Sequence, residues 1–346
     1  MNREQSAQAG GVMPQRRSGF DVVKGAAIIL VVIGHVWRGL FTAEMIPNTG
    51  LYQRIDAAIY LFHMPVFFFL SGLFFSARLP LTDFMQNRAI LLIWPMLLWG
   101  WIDAALKTAA NIPIKGQVLI WPEVALSVLP PIGIFWFLYT LFILHIIGWA
   151  VTRLPRTLRL ITLAGLSIAA IMGWINVSPF DSLWPSVIYA PPFFAGLAFA
   201  VVAGSGKLLH RALIWPGIAA FVLAQGMVAS GVTVLHPLVA ALAMVLGTAA
   251  FIGLFANLPS GARWHAGLLA LGRVTMPIYL THVIFSAGTR LILRALGTEN
   301  LALHLSLGTI AGVLGPLALV WAARRMGIAT WIGFDAPARV SSTTAR

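Results

Sequence analysis

The stretch FDVVKGAAIILVVIGHVW, Phe20 to Trp37, opens on the charges of Asp21 and Lys24, then runs through apolar and small residues to His35. Its meaning depends on the solvent around it. Of 346 residues, 59% are hydrophobic and 10% charged, and the mean hydropathy is +0.88. Soluble domains carry about 25% charged residues, so this chain has too little charge to cover a water-facing surface. It reads as an integral membrane protein with most of its length in lipid. The absence of cysteine excludes disulfides, thiolate metal sites and cysteine nucleophiles. The polar first 18 residues, with Arg3, Arg16 and Arg17, lead to the expectation of no cleavable signal peptide. A net charge of +13 would suit nucleic acid in a soluble protein. In a membrane chain it reads as loop charge that sets topology, and no nucleic-acid partner is expected.

A bilayer core of about 30 Å takes about 20 apolar residues per helix. Breaks at proline, glycine and charge clusters give ten segments, near 20–41, 55–77, 86–107, 132–152, 160–177, 183–203, 212–230, 234–257, 266–289 and 302–323. The expected fold is an all-α polytopic bundle of about ten transmembrane helices. Residues 1–18 are expected as a disordered cytoplasmic N-terminus, 19–325 as a single transmembrane domain and 326–346 as a cytoplasmic tail. With both termini cytoplasmic, the inner side holds 17 of the lysines and arginines and the outer side 6. That is the positive-inside pattern.

Depth then follows from the helical rise. His35 lies eleven residues after Lys24, about 16 Å further out and on the same helix face. His63, early in the second span, and His282, in the ninth, fall at a similar depth in the outer half, whereas His145 falls nearer the inner side. An imidazole in hydrocarbon is costly and usually marks a pathway or site, and three at one depth point to a shared function. The alternative is that each is a satisfied packing residue. A metal site needs three converging ligands. Asp56 and Asp103 are the only carboxylates near these histidines, so no metal is expected.

At the inner ends of the first three spans, Lys24, Arg78 and Arg88 form a basic cluster that suits a phosphate-bearing ligand from the cytoplasm. Asp21, three residues before Lys24, can pair with it on the helix surface or serve as an interfacial cap. Phe67–Phe69 read as lipid-facing or packing bulk, and Ser71-Gly72 as a close helix contact. Ser71 lies too far inward to meet His35. Trp136 and Trp184 read as interfacial anchors, and Arg153, Arg156 and Arg159 as a topology signal.

Together these motifs resemble the membrane acyltransferase-3 superfamily. DVVKGAAIILVVIGH, with Lys24, ten residues and then His35, resembles that family's first helix. HMPVFFFLSGLFFS resembles the second, RAILLIWPMLLWG the third, WFLYTLFILH the fourth and PIYLTHVIF, with Tyr279 and His282, the ninth. The DxxKG and GH elements are closest to fucose-4-O-acetylase-like acetyltransferases. The resemblance implies a ten-helix bundle in a bacterial cytoplasmic membrane. Such a bundle would take an acetyl or other acyl group from cytoplasmic acyl-CoA and pass it to a hydroxyl of a glycan or lipid-linked glycan. His35 would be the catalytic histidine, as base or as carrier of the acyl group, with His282 and His63 beside it. Lys24, Arg88, Arg78 and Asp21 would form the acyl-CoA side. One departure stands out: many members carry two arginines three apart before the third helix, and here Leu91 stands three after Arg88. Two other readings remain, a transporter relaying protons through its histidines and a non-catalytic scaffold.

Overall fold

A computed structural model describes residues 12–60, 63–114, 117–131, 133–178, 181–203, 215, 218–219, 222–223, 225–226, 237–256, 259 and 263–336. Among the described residues every regular element is helical, as in-lipid backbone requires. The main helices are α1 (Val12–Thr42), α2 (Thr49–Tyr60), α3 (His63–Leu73), α4 (Leu81–Arg88) and α5 (Trp94–Ala109). They continue with α6 (Trp136–Val151), α7 (Arg156–Ile171), α8 (Ala190–Ala203), α9 (Pro237–Ala256), α10 (Arg263–Gly272), α11 (Thr275–Ala295) and α12 (Leu301–Arg325). A π-helical turn, Ala89–Ile93, joins α4 to α5.

Among the described residues six stretches are long and apolar enough to cross a membrane: Ser18–Thr42, Thr49–Leu73, Leu81–Ala109, Gly133–Val151, Thr275–Ala295 and Leu301–Arg325. A bent pair, Asp181–Ile188 with Ala190–Val202, makes a seventh if counted as one span. Of the remaining expected spans, 160–177 corresponds to the 16-residue α7 and 234–257 to α9. The expected span 212–230 and the turn at SGVTVLHP lie largely outside the described residues. The expected span 266–289 divides into α10 and α11. The chain breaks after Gly272 at Arg273-Val274, and Pro277 sits in the first turn of the new helix. A sharp hairpin links α11 to α12: Gly297 takes the left-handed conformation (φ 75°), and the Asn300 side chain accepts from the Leu303 amide at 3.0 Å to cap the next helix.

The first helix is the hub, touching α3, α9, α10, α11 and α12. Two glycines bring α10 against it at backbone distance. A methyl added at Gly272 would collide with the Asp21 carbonyl, and one at Gly25 with the Leu268 carbonyl. The same device joins α3 to α8, where Gly72 faces the Phe193 carbonyl and Gly196 the Phe69 carbonyl. The close helix contact expected at Ser71-Gly72 is therefore present. Small residues of this kind suit a lipid setting, where helix association rests on van der Waals contact. On α12 the buried Gly308, Gly312, Pro316 and Val320 face inward, while Leu303, Leu307, Ile310, Leu314 and Trp321 form an exposed apolar stripe.

Aromatic bulk fills the interior. Phe68 and Phe69 are buried. Trp136, expected as an interfacial anchor, instead stacks on Tyr189 (5.2 Å between centroids), which stacks on Phe68 (4.8 Å). Trp184 stays largely exposed. Two arginines of the expected topology signal hold loop carbonyls: Arg153 donates to Ala77 and Leu79, and Arg159 to Thr152 and Leu154. The segment after α12 folds back on α5. Trp99 donates to the Ile332 carbonyl at 2.8 Å and stacks on Phe334, and Arg324 pairs with Asp335 at 2.7 Å, which holds that carboxyl below its usual range.

The glycine contact yields a direct test. Gly272→Ala should destabilise the purified protein by about 1–3 kcal/mol through overpacking, read as a lower Tm by tryptophan fluorescence in detergent. Gly288→Ala, where nothing lies within 4 Å of the added methyl, should leave the Tm equal or higher because alanine is the better helix former. Equal Tm values for Gly272→Ala and the parent would show that α1 and α10 are not in backbone contact.

Candidate functional site

Hydrocarbon offers no water to a buried imidazole, so each ring nitrogen must find a protein partner or stay bare. His282 and His63 are fully buried. In α11, His282 Nδ1 lies 3.0 Å from the Ile278 carbonyl and 2.8 Å from that of Tyr279. His63 Nδ1 lies 2.5 Å from the Ile59 carbonyl. A carbonyl only accepts, so in both residues Nδ1 carries the proton and donates it. In the neutral ring that leaves Nε2 as a bare lone pair, and both Nε2 atoms are buried without a partner. Local helical geometry thus fixes which nitrogen of each histidine is free.

The third histidine, His35 of α1, is only partly buried. Its ring lies 5.1 Å from that of His282. Its Nε2 lies 3.4 Å from the Tyr60 hydroxyl, and the Tyr60 ring meets His63 edge-on at 4.5 Å. Tyr60 is held from its other face by Arg38, whose guanidinium carbon sits 3.3 Å above the ring centroid. Arg38 in turn grips Asp56 with two hydrogen bonds of 2.6 and 2.9 Å. Tyr279, one turn before His282, donates to the Ile134 carbonyl and ties α11 to the start of α6.

The structure therefore brings His35 and His282 into ring contact and reaches His63 through Tyr60. Sequence reasoning missed Tyr60 and Arg38 as members of this cluster. The signal was available in part: Tyr60 lies three residues before His63, hence on the same side of one span. The two carboxylates placed near the histidines are both taken up by cations, Asp56 by Arg38 and Asp103 by Lys107 at 2.6 Å. Among the described residues no group of three histidine, aspartate or glutamate side chains is arranged to hold a metal ion.

The first two spans run antiparallel. Phe20 meets Phe74 at one end (5.0 Å between centroids), while His35 meets Tyr60 at the other (6.3 Å). The Phe20 end carries the basic residues. Lys24 pairs with Asp21 at 2.6 Å, and Arg273 approaches the second Asp21 oxygen at 4.0 Å. Arg78 is exposed. Arg88 lies over the Phe84 ring at 5.0 Å, with its Nε buried and unpartnered. Ser71, set apart in the sequence as too far inward to reach His35, has a different partner: its hydroxyl lies 2.8 Å from His145 Nε2.

The described side chains thus form two groups joined by α1, one of imidazoles and a tyrosine around His35 and one of cations around Asp21. A family model described as an acyltransferase domain matches residues 17–321. The nodulation protein NolL of Mesorhizobium japonicum is 32% identical over 197 residues, 54% of this chain and 48% of that protein. NolL of Sinorhizobium fredii is 31% identical over 203 residues, 56% of this chain and 52% of that protein. The chain matches about half the length of these curated relatives. No solved structure matches. Because the matched region runs from the start of α1 almost to the end of α12, and so contains both ends of the site, the chain belongs to the membrane acyltransferase-3 family.

Proposed function

We propose that this protein is a multi-pass O-acyltransferase of a bacterial cytoplasmic membrane. It moves an acyl group, acetyl in our reading, from cytoplasmic acyl-CoA to a hydroxyl of a glycan or lipid-linked glycan. The observation that carries this reading is the partly open His35 beside His282, on a helix whose other end bears Lys24. His35 is the residue that substrate reaches, because it is the accessible member of a cluster whose other imidazoles are buried.

In this mechanism a neutral His35 takes the proton of the acceptor hydroxyl, which makes its oxygen a nucleophile. That oxygen attacks the thioester carbonyl of the donor. The new C–O bond forms, the C–S bond breaks, and the proton passes from His35 to the departing CoA thiolate. The 3.4 Å contact between Tyr60 and His35 is longer than a good O–H hydrogen bond. It leaves room for a substrate hydroxyl to take its place, while Arg38 and Asp56 keep Tyr60 at hand. His282, whose ring lies against His35, and His63, behind Tyr60, are buried and set the surroundings of that imidazole. Lys24, Arg88 and Arg78 hold the donor phosphates, and Asp21 orients Lys24.

Acetyl-CoA and CoA should raise the Tm of the detergent-purified protein, because a ligand that binds the folded state stabilises it by mass action. Lys24→Ala should abolish that shift. No shift with acetyl-CoA, CoA or longer acyl-CoAs on a well-folded sample would exclude an acyl-CoA donor and favour the proton-coupled transporter.

His35→Ala should lower thiol release from acetyl-CoA by about 10²–10⁴-fold, the usual contribution of a general base. The assay uses membranes enriched in the protein, with glycolipid extracted from the same cells as acceptor. The variant should insert normally and keep the parent Tm. Tyr60→Phe should cost less than His35→Ala, since it removes a positioning hydroxyl and leaves the imidazole. Retention of parental turnover in His35→Ala would remove this histidine from the chemistry.

A further inference from the structure

Resting on the acyl-CoA reading above, we propose that Ser71 and His145 form a binding site for the pantetheine arm of the donor, hydrogen-bonding one of its amides. Three other helical serines turn their hydroxyls back onto the carbonyl four residues earlier: Ser167 to Leu163 (2.7 Å), Ser286 to His282 (2.8 Å) and Ser306 to Ala302 (2.5 Å). Ser71 does not. Its hydroxyl crosses from α3 to α6 to meet His145 Nε2 at 2.8 Å. The serine is partly accessible, whereas His145 is 6% exposed.

The pair leaves one polar atom without a partner. His145 Nδ1 is buried and makes no hydrogen bond. If the Ser71 hydroxyl donates to Nε2, Nδ1 is an N–H with no acceptor; if Nε2 donates to Ser71, Nδ1 is a lone pair with no donor. Either state costs free energy in an apolar interior. A secondary amide relieves both, because it offers an N–H and a carbonyl side by side. The pantetheine arm carries two such amides.

Position favours the same occupant. Ser71 lies eight residues beyond His63 in chain order, about 12 Å along the helix toward the basic end. Aromatic rings continue from there to a cation. His145 meets Phe75 at 5.4 Å, Phe75 meets Phe84 at 5.8 Å, and Arg88 lies over Phe84 at 5.0 Å with its own Nε buried and unpartnered. A donor with its phosphates at the basic end and its thioester at His35 must pass this layer. The amides of its arm are then the groups that need partners there.

The test measures affinity of the purified full-length protein by calorimetry for CoA, for adenosine 3′,5′-bisphosphate, which is the nucleotide part alone, and for pantetheine, the arm alone. His145→Leu and Ser71→Ala should each weaken CoA and pantetheine by about three- to tenfold, the worth of one hydrogen bond. Both should leave the nucleotide part unchanged. Ser71→Ala removes a single oxygen and serves if His145→Leu fails to fold. Unchanged affinity for CoA and pantetheine in a folded variant, or equal weakening for all three ligands, would overturn the proposal. If the parent protein binds none of them, the acyl-CoA reading itself fails and this site falls with it; binding by the parent with no effect of the variants removes this site alone.

Discussion

The position of α1 is the constraint on which the site depends. In lipid, neighbouring helices gain nothing from expelling water, so they are held by close van der Waals contact and by polar groups. Along α1 that contact reaches backbone distance at Gly25 and Gly272, and Gly312 brings α12 against Val32. Lys24 and His35 belong to this one helix, eleven residues apart, so their separation of about 16 Å is set by helical geometry and cannot drift. A donor that spans them has to lie extended along α1, which suits a long thin arm better than a compact ligand. What the glycines fix in addition is the neighbourhood: α10 brings Arg273 to the Asp21 end, and α11 brings His282 to the His35 end.

The histidine end draws its character from a local effect. Nδ1 of His282 donates to carbonyls three and four residues earlier, and Nδ1 of His63 to the carbonyl four residues earlier. Each histidine thus satisfies one nitrogen within its own span and presents the other inward. No partner helix is needed to choose the tautomer. Buried lone pairs of this sort weaken a fold when nothing meets them. Their collection around the partly accessible His35 concentrates that cost at the candidate site.

Much of this arrangement was legible in the sequence, and the reasons differ by residue. Rise per residue placed His35, His63 and His282 at one depth, and the structure gathers them into one cluster because depth is inherited from a regular helix. The spacing of Asp21 and Lys24 gave their ion pair for the same reason. Contacts across large sequence separations were not legible. Arg38 and Asp56 lie 18 residues apart and Ser71 and His145 lie 74 apart, and no periodicity reports which helices face each other. Ser71 and His145 had both been placed toward the inner side, so comparing them with each other would have suggested the pair. The break after Gly272 was hidden because both halves of the expected ninth span are apolar, and a two-residue turn barely changes hydropathy.

The departure at Leu91 can be read in the same terms. A second arginine three residues after Arg88 would put two cations on one helix face. Here that position falls inside the π-helical turn Ala89–Ile93, which inserts an extra residue per turn and rotates the facing of the helix beyond it. Besides the exposed Arg78, cations at this end come from α1, from α4 and from the turn after α10: Lys24, Arg88 and Arg273. Two of them share Asp21, which leaves Arg88 as the one whose guanidinium has a buried nitrogen still unpartnered. A phosphate recognised as a charge is indifferent to which helix supplies the cation, whereas a bidentate grip requires a particular fork geometry. On the donor reading, Arg88 is therefore the residue whose replacement by lysine should matter most at this end, since lysine would keep the charge and lose the fork.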